Sequence, residues 1–546
     1  SFEYDGLNRM IKEKQSGLDG KFIDYLSDNT IRRTDGEGNV TRTRYRAFGS
    51  PSYEQAVVIN SPENVRTELS VNIFGDITAI TQSGPLVASQ TEYRAYDESH
   101  NLCKVSRPDV GVSVYTHNAL GEPTSRAEGV ASASVNSCIS SGADDKRIQQ
   151  VADNVGDVWQ VDYPEEGAFP SPDKVYKRDN NGNLQRLETG SVVQTYSFNS
   201  LGQPTAESLS VNSRHYTVQY GYNRQGDTSY FTYPDGYQVR FGPNGFGEPT
   251  GSRRVKSGEP DYIFADEASY YPNGMLSGFT YGNGLVHEMT LDTARQVPTR
   301  LNDSGDNATA LDYQFGYDDN LNIVYQHNLV NSDYTLTQLA YDGLDRLLFV
   351  NGGAGVGISE LTYDGLGNIR SYHQSLSDRE LNYHYSDSTN RLSAVDGAGS
   401  AYDAFTYDAR GNVTDNGTRS FTYNRTNQLV QSGDIRYRYD GHNRRVMETR
   451  NGSHRYSFYR LDGTLVYRET EAGSINYVYL GDKLIAKDGY IPEDSGTQHY
   501  QPFGESIEGA VDDVGYTGHR FDADTGLVYM QARYYDPVIG RFYSND

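Results

Sequence analysis

One phrase, restated along most of the chain, constrains its fold more than any other feature. It consists of a Tyr-Asp pair among aromatics, a short turn containing Gly or Asn, and a second stretch of apolar and polar alternation. The phrase stands as LTYDGLGNIRSY from Leu361 to Tyr372, LAYDGLDRLLFV from Leu339, FTYDARGNVTDN from Phe405, FTYNRTNQLVQS from Phe421 and YRYDGHNRRVME from Tyr437. Weaker copies are YSFNSLGQPTAE from Tyr196, YKRDNNGNLQRL from Tyr176 and YTHNALGEPTSR from Tyr115. The central aromatics Tyr341, Tyr363, Tyr385 and Tyr407 are spaced by 22, Tyr407, Tyr423 and Tyr439 by 16, and Tyr439, Tyr459 and Tyr479 by 20. Even spacings suit paired strands, whose side chains alternate faces with period two. Leu361 and Tyr363 share a face before the turn, Ile369 and Ser371 share one after it, and DGLGN supplies residues that tolerate positive φ. Each unit is therefore a β-hairpin. A lone hairpin cannot bury its apolar face, so successive hairpins must stack laterally into one continuing antiparallel sheet.

Composition agrees with an all-β body. The chain has 46 Tyr and 56 Gly but only 5 Met, 1 Trp and 2 Cys, and its hydrophobic fraction of 36% is low for one compact core of 546 residues. A thin curved sheet with one wet face accounts for that better. Helical periodicity is scarce, and its best candidate, Asp144 to Val155, is short and flanked by turns, so it reads as loop. Residues 50–160 are the least regular and are expected to hold loops or a departure from the sheet. The formal charge of −25, from 73 acidic against 48 basic residues, disfavours nucleic acid as a partner. It would attract a basic protein partner, or simply keep a large Tyr-rich surface soluble. No run approaches the roughly 18 apolar residues of a membrane span. The opening SFEYDGLNRM already lies inside a repeat, so further repeats, and any targeting element, are expected upstream, leaving an open-ended cavity here. Cys103 and Cys138 form either one loop-closing disulfide or two free thiols, and two cysteines support neither a zinc site nor a disulfide scaffold.

Conventional chemistry is poorly represented, and neither a cofactor nor a metal is expected. Asp179, Asn180, Asn181 and Asn183, then Asp318, Asp319, Asn320 and Asn322, then Asp522, Asp524 and Gly526 imitate calcium loops. They lack the closing Glu of an EF-hand and coincide with the turn of the repeat. The Gly-rich stretch Gly352 to Ile358 opens onto no helical pattern and reads as a loop between repeats. No G-x-S-x-G or H-E-x-x-H is present. The acid pairs Glu165-Glu166 and Asp512-Asp513 point to opposite faces if on strands, so neither is a dyad by itself.

The C-terminal run GYTGHRFDADTGLVYMQARYYDPVIGRFYSND differs in specificity. Its marks are Tyr516-Thr517-Gly518, Asp524-Thr525-Gly526-Leu527, Ala532-Arg533-Tyr534-Tyr535-Asp536-Pro537 and Gly540-Arg541-Phe542, after the lead-in Gln501-Pro502-Phe503-Gly504-Glu505. This run resembles the RHS-repeat-associated core, and the upstream phrases resemble the YD repeats of RHS and teneurin-like proteins. The resemblance implies a spiralling antiparallel sheet closed into a hollow shell. Residues 1–498 would be the YD-repeat shell, and 499–546 the core signature, truncated at its C-terminal end. By analogy with toxin-complex and type VI secretion relatives, it implies a bacterial effector that is secreted or injected. Its shell would enclose a C-terminal toxin domain lying beyond this chain, and an N-terminal docking component would deliver it. The core would release the toxin by aspartate-dependent self-cleavage, with Asp546 and Arg541 matching the core's terminal acid and the arginine before it. A second acid, needed to share the proton and raise one pKa, would lie downstream. The alternative for Arg541 and Asp546 is a structural ion pair closing the last strand. The alternative for the protein is a cell-surface YD-repeat adhesin or carbohydrate-binding protein. No constellation supports a turnover enzyme.

Overall fold

The structure is a computed structural model that describes residues 1–546 except 48, 132–133, 136, 139–141, 166, 257, 307, 492–495 and 546. Among the described residues there are forty-eight strands, five short 3-10 turns and no α-helix. No helix there is long and apolar enough to cross a membrane. Strands pair antiparallel with their neighbours in sequence. The first 34 form one sheet from Phe2–Tyr4 to Leu392–Asp396, an 8-stranded sheet runs from Phe421–Tyr423 to Lys483–Gly489, and a 2-stranded ribbon lies between them. A 4-stranded sheet over Arg520–Phe542 closes the chain.

The Asp of the repeated pair builds its own turn. Asp364 Oδ1 accepts from the backbone N–H groups of Leu366 (2.9 Å) and Asn368 (3.0 Å), while Oδ2 accepts from Asn368 Nδ2 at 2.9 Å. Asp179 and Asp408 repeat this clamp with Asn183 and Asn412, and Asp342 with Arg346. Where Asn replaces Asp, the fourth residue on becomes an acceptor: Asn223 with Asp227, Asn72 with Asp76, Asn244 with Glu248. Donor and acceptor thus exchange as a matched pair. The acid clusters that imitate calcium loops at Asp179 and Asp318 are such clamps.

The Tyr of the pair ties each hairpin to the one before it. A register shift falls at the Tyr of the phrase, so that Tyr341 pairs with Leu347, Tyr363 with Ile369 and Tyr385, which Ser386 follows, with Leu392. The Tyr363 hydroxyl donates to Leu347 O (2.8 Å), that of Tyr385 to Ile369 O (3.1 Å) and that of Tyr407 to Leu392 O (2.6 Å). Tyr341 reaches Ile323 O and Tyr479 reaches Leu465 O in the same way. Each hairpin therefore presents at its bulge the carbonyl that the next tyrosine needs.

The ribbon coils so that turn tips along one edge meet tips on the opposite edge of the preceding coil. Gln15 Nε2 donates to Ala294 O, Asn320 Nδ2 to Asp35 Oδ2, Gly343 N to Glu63 Oε1, Arg391 Nε to Asp109 O and Asn476 Nδ2 to Asp235 Oδ2. These partners lie between 241 and 285 residues apart, which is the length of one coil. At another seam contact Gly365 N donates to Pro85 O at 2.8 Å. A Cβ on Gly365 would come within 2.4 Å of Gly84 Cα, so both positions need glycine. On the free edge of the first coil, the tips expose Leu7, Phe74, Leu120, Val155, Leu201 and Phe246. The corresponding Leu344 and Leu366 of the second coil are half-buried beside the seam.

Residues 50–160 hold the expected loops, such as that between Pro123–Glu128 and Arg147–Ala152, while their strands remain paired within the main sheet. One correction concerns the stretch Asp144 to Val155. Within the stretch read as loop, Arg147–Ala152 is a strand pairing with both Pro123–Glu128 and Val158–Asp162, because cross-strand neighbours override its weak local pattern. Gly353 to Gly357 do form the turn between Leu347–Gly352 and Ile358–Tyr363.

The clamp rule yields a swap test. Asn223→Asp should set two carboxylates against each other and cost about 1–2 kcal/mol. Asn223→Asp with Asp227→Asn should recover most of that loss in urea denaturation, whereas additive losses would contradict the pairing.

Candidate functional site

The last 48 residues cover one face of the second coil. Strands Arg445–Arg450, Ser453–Tyr459, Leu465–Thr470 and Gly473–Leu480 are buried on both sides. Val446, Phe458, Val466 and Val478 pack with Val218, Phe231 and Val239 of the first coil. Tyr459, Leu465, Ile475 and Tyr477 pack with Leu527, Tyr529 and Tyr534 of the C-terminal segment. Where the main sheet ends, the segment enters the wall itself. Val413 N donates to Tyr543 O at 2.8 Å, so Tyr543 supplies a backbone acceptor at the gap between sheets.

A buried charge network fastens this segment. Arg445 holds Asp522 through both guanidinium nitrogens, with Nη2–Oδ1 at 2.8 Å, and lies 4.4 Å from the Tyr529 ring centroid and 4.9 Å from that of Tyr437. Arg520 reaches Glu448 (3.1 Å), Asp512 (3.1 Å) and Asp522 (3.3 Å). Burial opposes charge on both arginines, yet their carboxylates hold them well above the ordinary arginine value. Burial would raise Asp512, but Arg520, Arg468 and Arg455 pull it down to about 2. The neighbouring Asp513 accepts from Lys487 Nζ (2.7 Å) and the Tyr477 hydroxyl (2.5 Å), and Arg468 stands between it and Asp512. The two acids thus form no dyad, and Asp522, part of a calcium-like cluster in the sequence, is an arginine partner. Glu166 of the other acid pair lies outside the described residues.

Asp536 stands apart. Its carboxylate, 1% exposed, takes neutral donors: the hydroxyls of Tyr543 (2.7 Å) and Tyr402 (3.0 Å) and the Val538 N–H (3.0 Å). Burial pushes it up to about 6 against those hydrogen bonds. The sequence marks Asp536 only as part of a motif, and nothing in it signals this environment. Arg445, Arg468 and Glu448 sit in ordinary repeat positions, so their roles were also unreadable before the segment was seen to dock.

Of the residues singled out for self-cleavage, Arg541 lies with its guanidinium 5.5 Å from the Tyr385 ring centroid and lines a cavity of about 140 Å³ with Ser544 and Asn545. Asp546 lies outside the described residues. Cys103 and Cys138 are joined as a disulfide across a separation of 35, and Lys104 Nζ donates to Ser134 O and Ser137 O beside it. Together they tie Ser134, Ser137 and Cys138 to the strand Leu102–Arg107.

Residues 352–485 match the Teneurin YD-shell family model. The whole chain superposes on TcdB2-TccC3 without its hypervariable C-terminal region (TM-score 0.79, 16% identity) and on the Photorhabdus luminescens Tc holotoxin pore (TM-score 0.76, 17% identity), covering 32% of each of those chains. It is 26% identical over 228 residues to a tRNA3(Ser)-specific nuclease WapA of Bacillus spizizenii and 27% identical over 229 residues to the tRNA nuclease WapA of Bacillus subtilis. Each alignment takes in 35% of this chain and 10% of the relative. The fold is that of a spiral β-sheet shell. In its repeats and over residues 352–485, the chain is similar to the RHS/YD-repeat proteins.

Two outcomes are expected of the docked segment. Arg445→Met should leave the buried Asp522 carboxylate with Arg520 as its one arginine among those named and cost about 3 kcal/mol, seen as a lower denaturant midpoint and faster proteolysis within 499–546. The raised value of Asp536 means that the folded state holds its proton more tightly. Its contribution is full below about pH 4 and lost as pH rises through about 6, on the order of 3 kcal/mol in all. Asp536→Asn should flatten the difference in thermal stability between pH 5 and 7, and an unchanged pH profile would contradict the assignment.

Proposed function

We propose that this chain is part of the wall of a shell that encloses and delivers a toxin domain, with 1–498 as the wall and 499–546 as the core segment preceding the cargo. The observation that carries this is the end-to-end superposition on TcdB2-TccC3, a protein described with a hypervariable C-terminal region, together with a C-terminal segment anchored by buried charge. The similarity to part of the WapA tRNA nucleases suits a common carrier in front of different cargoes. The row of exposed apolar tips on the free edge is what a further coil of YD ribbon would cover, as the first coil covers Leu344 and Leu366. On this reading the partners are the enclosed toxin and a delivery component, and the protein is bacterial and secreted or injected.

Release would be by self-cleavage, with Asp546 as an acid and Arg541 as the cation favouring its ionised form. Arg541 shares a cavity with Asn545, the residue immediately before Asp546, which supports the pairing. A polypeptide extended past Asp546 through the rest of the core and the following domain should split on a denaturing gel. Asp546→Asn should leave it whole or slow cleavage by about 100-fold or more. Cleavage at the normal rate in that variant would remove the acid assignment, and an uncut parent would remove self-cleavage.

A further inference from the structure

A cavity opens at the seam between the two coils. It has a volume of about 610 Å³ and lies between Lys174, Gly190 and Asn212 of the first coil and Gln428, Arg438 and Thr449 of the second. Residues 168–172 form one wall, and next to them the Asp173 carboxylate accepts from Tyr163 N at 2.8 Å. Beside the Lys174–Asn443 contact the two coils leave room of the size that small-molecule sites occupy.

The lining has a consistent character. Lys174 is buried, and its ammonium donates to Asn443 Oδ1 at 2.7 Å. Burial lowers its pKa to about 8, against the opposing pull of the Asp440 carboxylate. Arg438 donates to Ser191 Oγ at 3.0 Å, and Arg436 lies with its guanidinium 5.5 Å from the Phe169 ring centroid. Neither arginine has a carboxylate partner among the described residues. The acid on the wall, Asp440, is already taken by Arg444 Nε (3.0 Å), Gln194 Nε2 (3.0 Å) and its own turn. Ser171 Oγ is buried at the rim and meets no hydrogen-bond partner. In a chain carrying 73 acidic and 48 basic residues, three cations converge on one cavity without matching acids. Phe169 and Met447 supply an apolar surface beside them.

We propose that this cavity is a binding site for a small organic anion, whose carboxylate or phosphate head is held by Lys174 and Arg438 and whose apolar body lies against Phe169 and Met447. Such a head would give Ser171 a partner and Lys174 and Arg438 an anionic acceptor beside their neutral ones, and charge-assisted hydrogen bonds in a confined site are the strong ones. The site is independent of any cargo, since its residues all belong to the wall and to the loop at its side.

Phenyl phosphate and benzoate are suitable probes, titrated calorimetrically against the intact chain. Saturable binding of one equivalent of either is expected, and the tighter of the two identifies the head group. Arg438→Gln, an exposed change that should leave the fold intact, should weaken binding by about tenfold, the loss expected for one charge-assisted contact. Lys174→Met should weaken it at least as much, and inorganic phosphate, which lacks the apolar body, should bind more weakly than phenyl phosphate. Failure of both probes to bind, unchanged affinity in Arg438→Gln, or equal binding of neutral benzyl alcohol would overturn the proposal.

Discussion

Each hairpin offers, at the bulge that follows its Tyr-Asp pair, one carbonyl that accepts the hydroxyl of the next hairpin's tyrosine, and the long sheet depends on that relay. Strand ladders alone would pair hairpins but would leave each bulge with an unsatisfied acceptor, a costly group once the face is covered. The tyrosine supplies the donor and at the same time fixes where the next hairpin begins. Its neighbour Asp or Asn then closes the turn by accepting two backbone N–H groups. Stiffness of the wall thus comes from short local contacts repeated many times, which is how a chain with so modest an apolar content holds an extended sheet together.

The relay also explains where the C-terminal segment enters. Between Val413 and Phe421 the sheet is divided, Tyr423 has no close carbonyl from the preceding hairpin, and its hydroxyl lies 3.5 Å from Tyr543 O instead. At Arg445 the pattern changes again, for the backbone N–H donates to the Tyr529 hydroxyl at 2.7 Å. The segment therefore takes over wall positions as well as covering a face. Burying so many charges beneath it would be unfavourable singly, and it is tolerated because Arg445, Arg520, Asp522, Glu448 and Asp512 satisfy one another. Asp536 is the exception, a carboxylate stabilised by tyrosine hydroxyls, and so it is the member of the motif most sensitive to pH.

The coil seam relies on a different interaction. Tips meet through side-chain amides, carboxylates and paired glycines, with few apolar contacts, so a mismatch at one tip leaves its neighbours free to pair. That tolerance permits the gap beside the 163–173 loop and the cavity within it, while the seam closes again at Gln194 and Asp440.

The sequence by itself determined the hairpin unit, its antiparallel stacking and the identity of the turn residues, because these rest on contacts within about twenty residues, where alternation and turn chemistry are visible. Gly352 to Ile358 could be read as a loop and the Asp-Asn clusters as turns for the same reason. The closed shell came from resemblance, since no local pattern encodes curvature. Only the tertiary structure decided which tips meet one coil later, that Arg147–Ala152 joins the sheet, that Arg445 and Asp522 are partners 77 residues apart, and that Asp536 is buried among tyrosines. Those features depend on pairings across long sequence separations, where an arginine in an ordinary repeat position looks the same whether it faces water or a buried carboxylate.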